Sequence, residues 1–194
     1  MNKDQKIEEI KAQWFNGYSV CAVVNCKLFL EKFPDEFSIL IILGNALAAL
    51  DKFDEATNIL ERAIELAAQD QKYHALVTMG FVFYERGSFA EAVKWFEDAF
   101  NNHDPRPVDL VLYAESLIKL GKYSKAIQEL KNIGEAKSKQ NETYYYTLGV
   151  AYRALGSYDN ALSSLQKSVE INSNYEVAIE AAEDILKMKS QRKI

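Results

Sequence analysis

The sequence predicts an all-α chain of stacked antiparallel helix hairpins, with about eleven helices and no strand. Three observations predict it. Apolar residues recur at three- and four-residue steps, the mark of one buried helix face, in segment after segment. The segments pair off across short turns. The paired pattern then returns every 34 to 36 residues, a period that belongs to stacked helical arrays.

The clearest hairpin is Glu142–Tyr175. Leu148, Gly149, Tyr152 and Leu155 recur at helical spacing before its turn, and Tyr158, Ala161, Leu162, Leu165 and Val169 after it. Gly156 is placed to end the first helix with a left-handed residue, and Ser157 to cap the second. Aligning the other hairpins on their turns gives a register. The second helices open on Tyr18, Phe53, Phe89, Tyr123 and Tyr158. A small residue follows three places later: Cys21, Ala56, Ala92, Ala126 and Ala161. A large one follows four further on: Leu60, Phe96, Leu130 and Leu165, with Asn25 the exception. In the first helices Leu43, Met79, Tyr113 and Leu148 are followed directly by Gly44, Gly80, Ala114 and Gly149. The small residues are expected to let the two helices of a pair approach, and the large ones to fill the space between successive pairs.

This pattern of Leu-Gly, Tyr, Gly-x-Tyr and Ala in 142–175, echoed in 73–106, resembles the tetratricopeptide repeat. The resemblance implies a right-handed superhelical solenoid. Its expected organisation is one domain over 1–194: a degenerate repeat at 2–36, repeats at 37–72, 73–106, 107–141 and 142–175, and a capping helix at 176–190. Asp51 departs from the pattern by standing where other turns have glycine, as do Ser173 in place of a frequent proline and Ile133 in place of a small residue.

The ends are atypical. The first helix of the N-terminal unit puts Glu8 and Glu9 at the core pair and carries its apolar residues at Ile7, Ile10, Trp14 and Phe15. Such degeneration suits a cap against water. The last helix, from Asn174 to about Lys189, has a stripe of Tyr175, Ala178, Ile179, Ala182, Ile185 and Leu186 that should cover the final repeat. Pro34, Pro105 and Pro107 fall between hairpins, and the polar run EAKSKQN after Gly134 marks the longest break. Lys187, Lys189, Arg192 and Lys193 read as a frayed basic terminus.

Composition bounds the function. With 194 residues, 48% hydrophobic and 26% charged, the chain can bury a sizeable core. A net charge of −5 argues against broad nucleic-acid binding. The opening MNKDQKIEEIKAQW has no secretory h-region, and the longest apolar run, 37–50, is too short to cross a bilayer, so no membrane partner is expected. Cys21 and Cys26 point roughly 140° apart on a helix and should not pair. A reducing, cytoplasmic setting is expected. Cys21 reads as core, and Cys26 as the more exposed thiol. Asn141-Glu142-Thr143 matches a glycosylation acceptor that such a setting leaves unused. His74 and His103 read as lying in different hairpins without ligand-spaced neighbours, so no metal, cofactor or catalytic residue is expected and the chain reads as a non-enzyme.

A second apolar face remains on the first helices. It presents Ser38, Ile41, Asn45 and Ala48; then His74, Val77, Phe81 and Tyr84; then Val108, Val111, Glu115 and Ile118; and last Thr143, Tyr146, Val150 and Arg153. Ten of the sixteen are apolar or aromatic, where a solvated face would be mostly charged. The family resemblance implies that this face lines a concave groove for partner segments. The candidate partner-binding residues are Ile41, Asn45, His74, Val77, Phe81, Tyr84, Val111, Glu115, Tyr146, Val150 and Arg153. Relatives that grip acidic C-terminal tails line this groove with cations, whereas Ile41, Val77 and Val111 stand here. The expected partner is therefore an apolar or amphipathic protein or peptide segment. The rival readings are a homo-oligomeric scaffold using the same face and a chaperone-like escort of a secreted client.

Overall fold

The computed structural model describes residues 2–101, 103–133 and 141–191. Among them are eleven α-helices and no strand: α1 Lys3–Phe15, α2 Ser19–Leu30, α3 Phe37–Ala48, α4 Phe53–Leu66, α5 Lys72–Glu85, α6 Phe89–Phe100, α7 Pro107–Lys119, α8 Tyr123–Ile133, α9 Glu142–Ala154, α10 Tyr158–Ile171 and α11 Glu176–Gln191. They fall into two compact units, Met1–Asp104 and Pro105–Ile194. In the first, α1/α2, α3/α4 and α5/α6 are hairpins, and α3 also packs on α5. In the second, α7/α8 and α9/α10 are hairpins and α11 packs on α10. The polar run after Gly134, and Arg192 and Lys193 of the basic tail, lie outside the described residues.

Every hairpin turns on one left-handed residue: Gly17, Asp51, Gly87, Gly121 and Gly156, with φ between 58° and 79°. The amide after it donates back to the last turn of the first helix, as Ser88 does to the Phe83 carbonyl at 2.9 Å and Ser157 to the Tyr152 carbonyl at 2.9 Å. Asp51 does glycine's work with a Cβ in place, a conformation that disfavours L-residues. Asp51→Gly should therefore raise unfolding stability by about 0.5–1 kcal/mol, read as a higher thermal midpoint.

Counting from this turn residue corrects the register of the first hairpin by one place. Position +2 is Ser19, not Tyr18, which occupies the N-cap of α2. Position +5 is then Ala22, Ala56, Ala92, Ala126 and Ala161, and position +9 is Cys26, Leu60, Phe96, Leu130 and Leu165. All ten are 0% exposed. Asn25 ceases to be an exception, and the two cysteines exchange their expected roles. Cys26 is buried core and Cys21 is exposed. Burial pushes the Cys26 thiol up to about 12. A thiol reagent at neutral pH should therefore label one cysteine per chain in the native protein and two in denaturant.

The small–large contact also lies inside a hairpin, not between successive pairs as expected. A Cβ on Gly44 would stand 2.6 Å from Leu60, one on Gly80 2.9 Å from Phe96, and one on Gly149 2.8 Å from Leu165. The helices are close because one side has no side chain and the other fills the gap. In the first hairpin the corresponding places hold Ile10 and Cys26, both 0% exposed in one apolar cluster. The bulk has moved to the first helix and the small residue to the second.

Other expectations shift locally. Pro107 begins α7 instead of standing outside it, a position where its missing N–H costs nothing. Ser157 is the N-cap of α10 but accepts no backbone amide, and its Oγ instead accepts from Asn160 Nδ2 at 2.9 Å. Asn141 of the acceptor-like tripeptide is a working N-cap, accepting from the Tyr144 amide at 2.9 Å. On α11 the buried residues are Ala178, Ala181 and Ile185. Leu186 is exposed and Ala181 takes its place in the stripe. Lys187 and Lys189 lie within α11, Lys189 pairing with Asp159.

Candidate functional site

In the first unit the candidate residues sit on α3 and α5, which pack side by side. Their burial separates them. Ala48 and Val77 are buried, Val77 with 5% of its surface exposed. Ser38, Ile41, Asn45, Phe81 and Tyr84 are half-buried, and His74 is exposed. Val77 thus belongs to the floor, and the residues around it reach the surface. The Tyr84 ring meets Phe89 edge-on at 5.8 Å, which fixes its orientation. Ser38 Oγ donates to Glu36 at 3.1 Å. The Asn45 amide has no side-chain partner among the described residues, a free polar group within an apolar face.

The histidines differ from expectation. His74 and His103 belong to the same hairpin and flank one ring, Tyr73, at 5.6 and 5.5 Å between centroids. His74 is exposed and, unlike His103, does not line the neighbouring cleft. Tyr73, His103, Ile64, Leu76 and Asp98 line part of that cleft, of about 370 Å³.

In the second unit the candidates lie on α7 and α9, which also pack together. Val111 is buried at 4%, whereas Val108 and Arg153 are exposed. Glu115, Ile118, Thr143, Tyr146 and Val150 are half-buried. Glu115 is held in place: Thr147 Oγ1 donates to its carboxylate at 3.2 Å. Tyr146 meets Tyr175 edge-on at 5.6 Å. Burial, with lesser contributions from Tyr175 and Glu115, pushes the Tyr146 phenol above its ordinary range.

Tyr146, Val150 and Arg153 do converge. With Tyr158, Ala181 and Met188 they line a cleft of about 400 Å³ between α9, α10 and α11. Arg153 Nη1 lies 4.0 Å from the Asp184 carboxylate of α11, a long and exposed pair. Sequence reasoning gave Tyr158 to packing and α11 to covering, so it missed Tyr158, Ala181 and Met188. The available signal lay outside the stripe read for α11: Ala181 and Met188, seven apart, share one face of that helix.

Among the described residues no cluster of three or more His, Cys, Asp or Glu side chains could hold a metal, and no helix is long and apolar enough to cross a membrane.

Two family models match the chain: the tetratricopeptide repeat over residues 142–175, and the anaphase-promoting complex, cyclosome, subunit 3 over residues 50–133. The chain is a tetratricopeptide repeat protein. Solved structures of such proteins share the fold at low identity. YrrB, described as a tetratricopeptide repeat protein with an unusual peptide-binding site, superposes with a TM-score of 0.69 at 16% identity, covering 92% of this chain and 90% of that one. The C-terminal part of a repeat-containing protein from Cytophaga hutchinsonii gives 0.73 at 17% identity, covering 92% and 69%. The first repeat domain of Spaghetti (RPAP3), bound to the HSP90 peptide SRMEEVD, gives 0.58 at 21% identity, covering 62% and 94%. No curated protein matches this tetratricopeptide repeat chain by sequence.

Proposed function

We propose that this tetratricopeptide repeat protein is a non-enzymatic interaction module of the cytoplasm that holds an apolar or amphipathic segment of another protein against the inner faces of its first helices. The observation that carries the reading is the accessible, half-buried group Ile41, Phe81 and Tyr84 in the first unit and Tyr146 and Val150 in the second. Half-buried apolar side chains open to solvent, two of them (Tyr84 and Tyr146) oriented by edge-on rings, are what an apolar anchor residue needs. Val77 and Val111, being buried, support these faces from below. Asn45 supplies a polar contact to set the register of the segment. Each unit's patch is a site in its own right.

Two of these structural relatives, YrrB with its peptide-binding site and the Spaghetti domain bound to an HSP90 peptide, support the class of function. The acidic peptide SRMEEVD of one of them is not the ligand chemistry proposed here, because Ile41, Val77 and Val111 offer such a tail no cation. The test is capture of cellular proteins by the wild type and by a Phe81→Glu/Tyr146→Glu double variant, quantified by mass spectrometry. The specifically captured protein should fall at least tenfold in the variant while its helical circular dichroism is unchanged. Equal capture by both would rule the reading out.

A further inference from the structure

One second helix breaks a rule that the other four keep. Counted from the left-handed turn residue, the outer face of α4 shows Asp54, Asn58 and Arg62, that of α6 Ala90, Lys94 and Asp98, that of α8 Ser124, Gln128 and Asn132, and that of α10 Asp159, Ser163 and Lys167. These are the residues a solvated helix face requires. At the same three places α2 shows Val20, Val24 and Leu28, which are 63%, 52% and 54% exposed. Exposed Phe15 and Tyr18 extend this apolar stripe at one end, and Phe33, which lines a cleft of about 570 Å³ with Leu28, extends it at the other. The polar face that α1 turns to solvent with Lys3, Asp4 and Glu8 is therefore not matched by the outer face of α2. A contiguous apolar surface of this kind marks an interface.

The surroundings choose the occupant. Lys27 is paired with Glu55, Lys3 with Glu36 and Lys6 with Glu9, and the remaining neighbours Glu31 and Lys32 are of opposite sign, so the charges around the stripe balance and favour neither an acidic nor a basic partner. What fits is another neutral apolar helix face, and the stripe is its own complement. Residues four apart along one helix line meet their counterparts when two copies cross antiparallel at Val24, with Val20 of each copy against Leu28 of the other. With about 150–250 Å² for a whole aromatic and somewhat less for Val and Leu, the six side chains expose roughly 600 Å² per copy, so a two-fold pair that covered all of it would bury about 1,200 Å² against the ~1,000 Å² a specific interface needs.

We propose that the outer face of α2 is a two-fold dimer interface between copies of this chain, with α2 packed antiparallel on its counterpart across Val24. This goes beyond the peptide-binding reading and uses a different surface.

The test is sedimentation equilibrium on the full chain. Wild type should give twice the 22.1 kDa chain mass. Val20→Glu/Leu28→Glu should give the chain mass with helical content retained, because both residues are exposed in the single chain, and its unfolding midpoint should lose the dependence on protein concentration that a dimer shows. As a second variant, Cys21→Ser/Val24→Cys should form a disulfide-linked dimer on mild oxidation, since position 24 lies on the axis and buried Cys26 does not compete. Phe81→Glu/Tyr146→Glu should keep the doubled mass, which separates this proposal from the peptide-binding one. A wild type at the chain mass, a doubled mass that survives the α2 charges, or no cross-link from position 24 would each overturn it.

Discussion

Replacing Phe96 with alanine should destabilise the first unit by about 3–5 kcal/mol, the range for deleting a fully buried aromatic. Phe96 is 0% exposed and is the largest fully buried side chain among the described residues. It fills the gap left by Gly80, stacks near Phe100 at 6.1 Å and has no route to water. The cavity opened by the substitution would lie between α5 and α6, where helix backbones already in contact have little freedom to collapse. Denaturant unfolding monitored at 222 nm checks the value. A loss under 1 kcal/mol would mean that the α5/α6 contact is not the tight one described.

The complementary change adds bulk. Gly149→Val should cost about 1–3 kcal/mol through overpacking. A Cβ at 149 would stand 2.8 Å from Leu165 and 3.3 Å from the Ala161 backbone oxygen. A leucine rotamer can yield; a helix carbonyl cannot without moving α10. The cost should exceed any gain from replacing glycine inside a helix, which is at most about 1 kcal/mol. Thermal unfolding of Gly149→Val beside Gly149→Ala measures it, with the larger side chain giving the lower midpoint.

These two positions also show how much the sequence revealed. The period, the hairpins and the alternation of small and large residues were legible because the pattern recurs along the chain, whereas the partner of each large residue was not: Leu60, Phe96 and Leu165 pack on the glycine of their own hairpin. The errors arose where one signal stood in for another. Tyr18 looked like the aromatic that opens a second helix, but the chain turns on Gly17, and counting from that glycine places Ala22 and Cys26 in the core. Glu9 and Ile10 then occupy the places of the large and small residue, and Ile10 is buried against the small side of α2. No single-helix pattern announces that exchange, because it is visible only when both helices of the pair are counted together.

The burial of the candidate residues was not legible in the sequence. Helical spacing puts Val77 and Phe81 on one face, yet Val77 is buried and Phe81 is half-buried. How far a neighbouring helix covers a face depends on packing distance, which spacing along one helix does not encode. The contribution of Met188 to the cleft beside Tyr146 joins residues over forty positions apart, and only the fold brings them together.

The most direct measurement of the central claim is selection of binders from a random peptide library, with wild-type protein as bait. The selected peptides should carry apolar or aromatic anchors at helical or alternating spacing and little net charge. Their affinity should fall at least tenfold, about 1.4 kcal/mol, in Phe81→Glu or in Tyr146→Glu according to the patch each peptide uses. Selection of acidic C-terminal tails, or of peptides whose affinity neither substitution changes, would contradict the account.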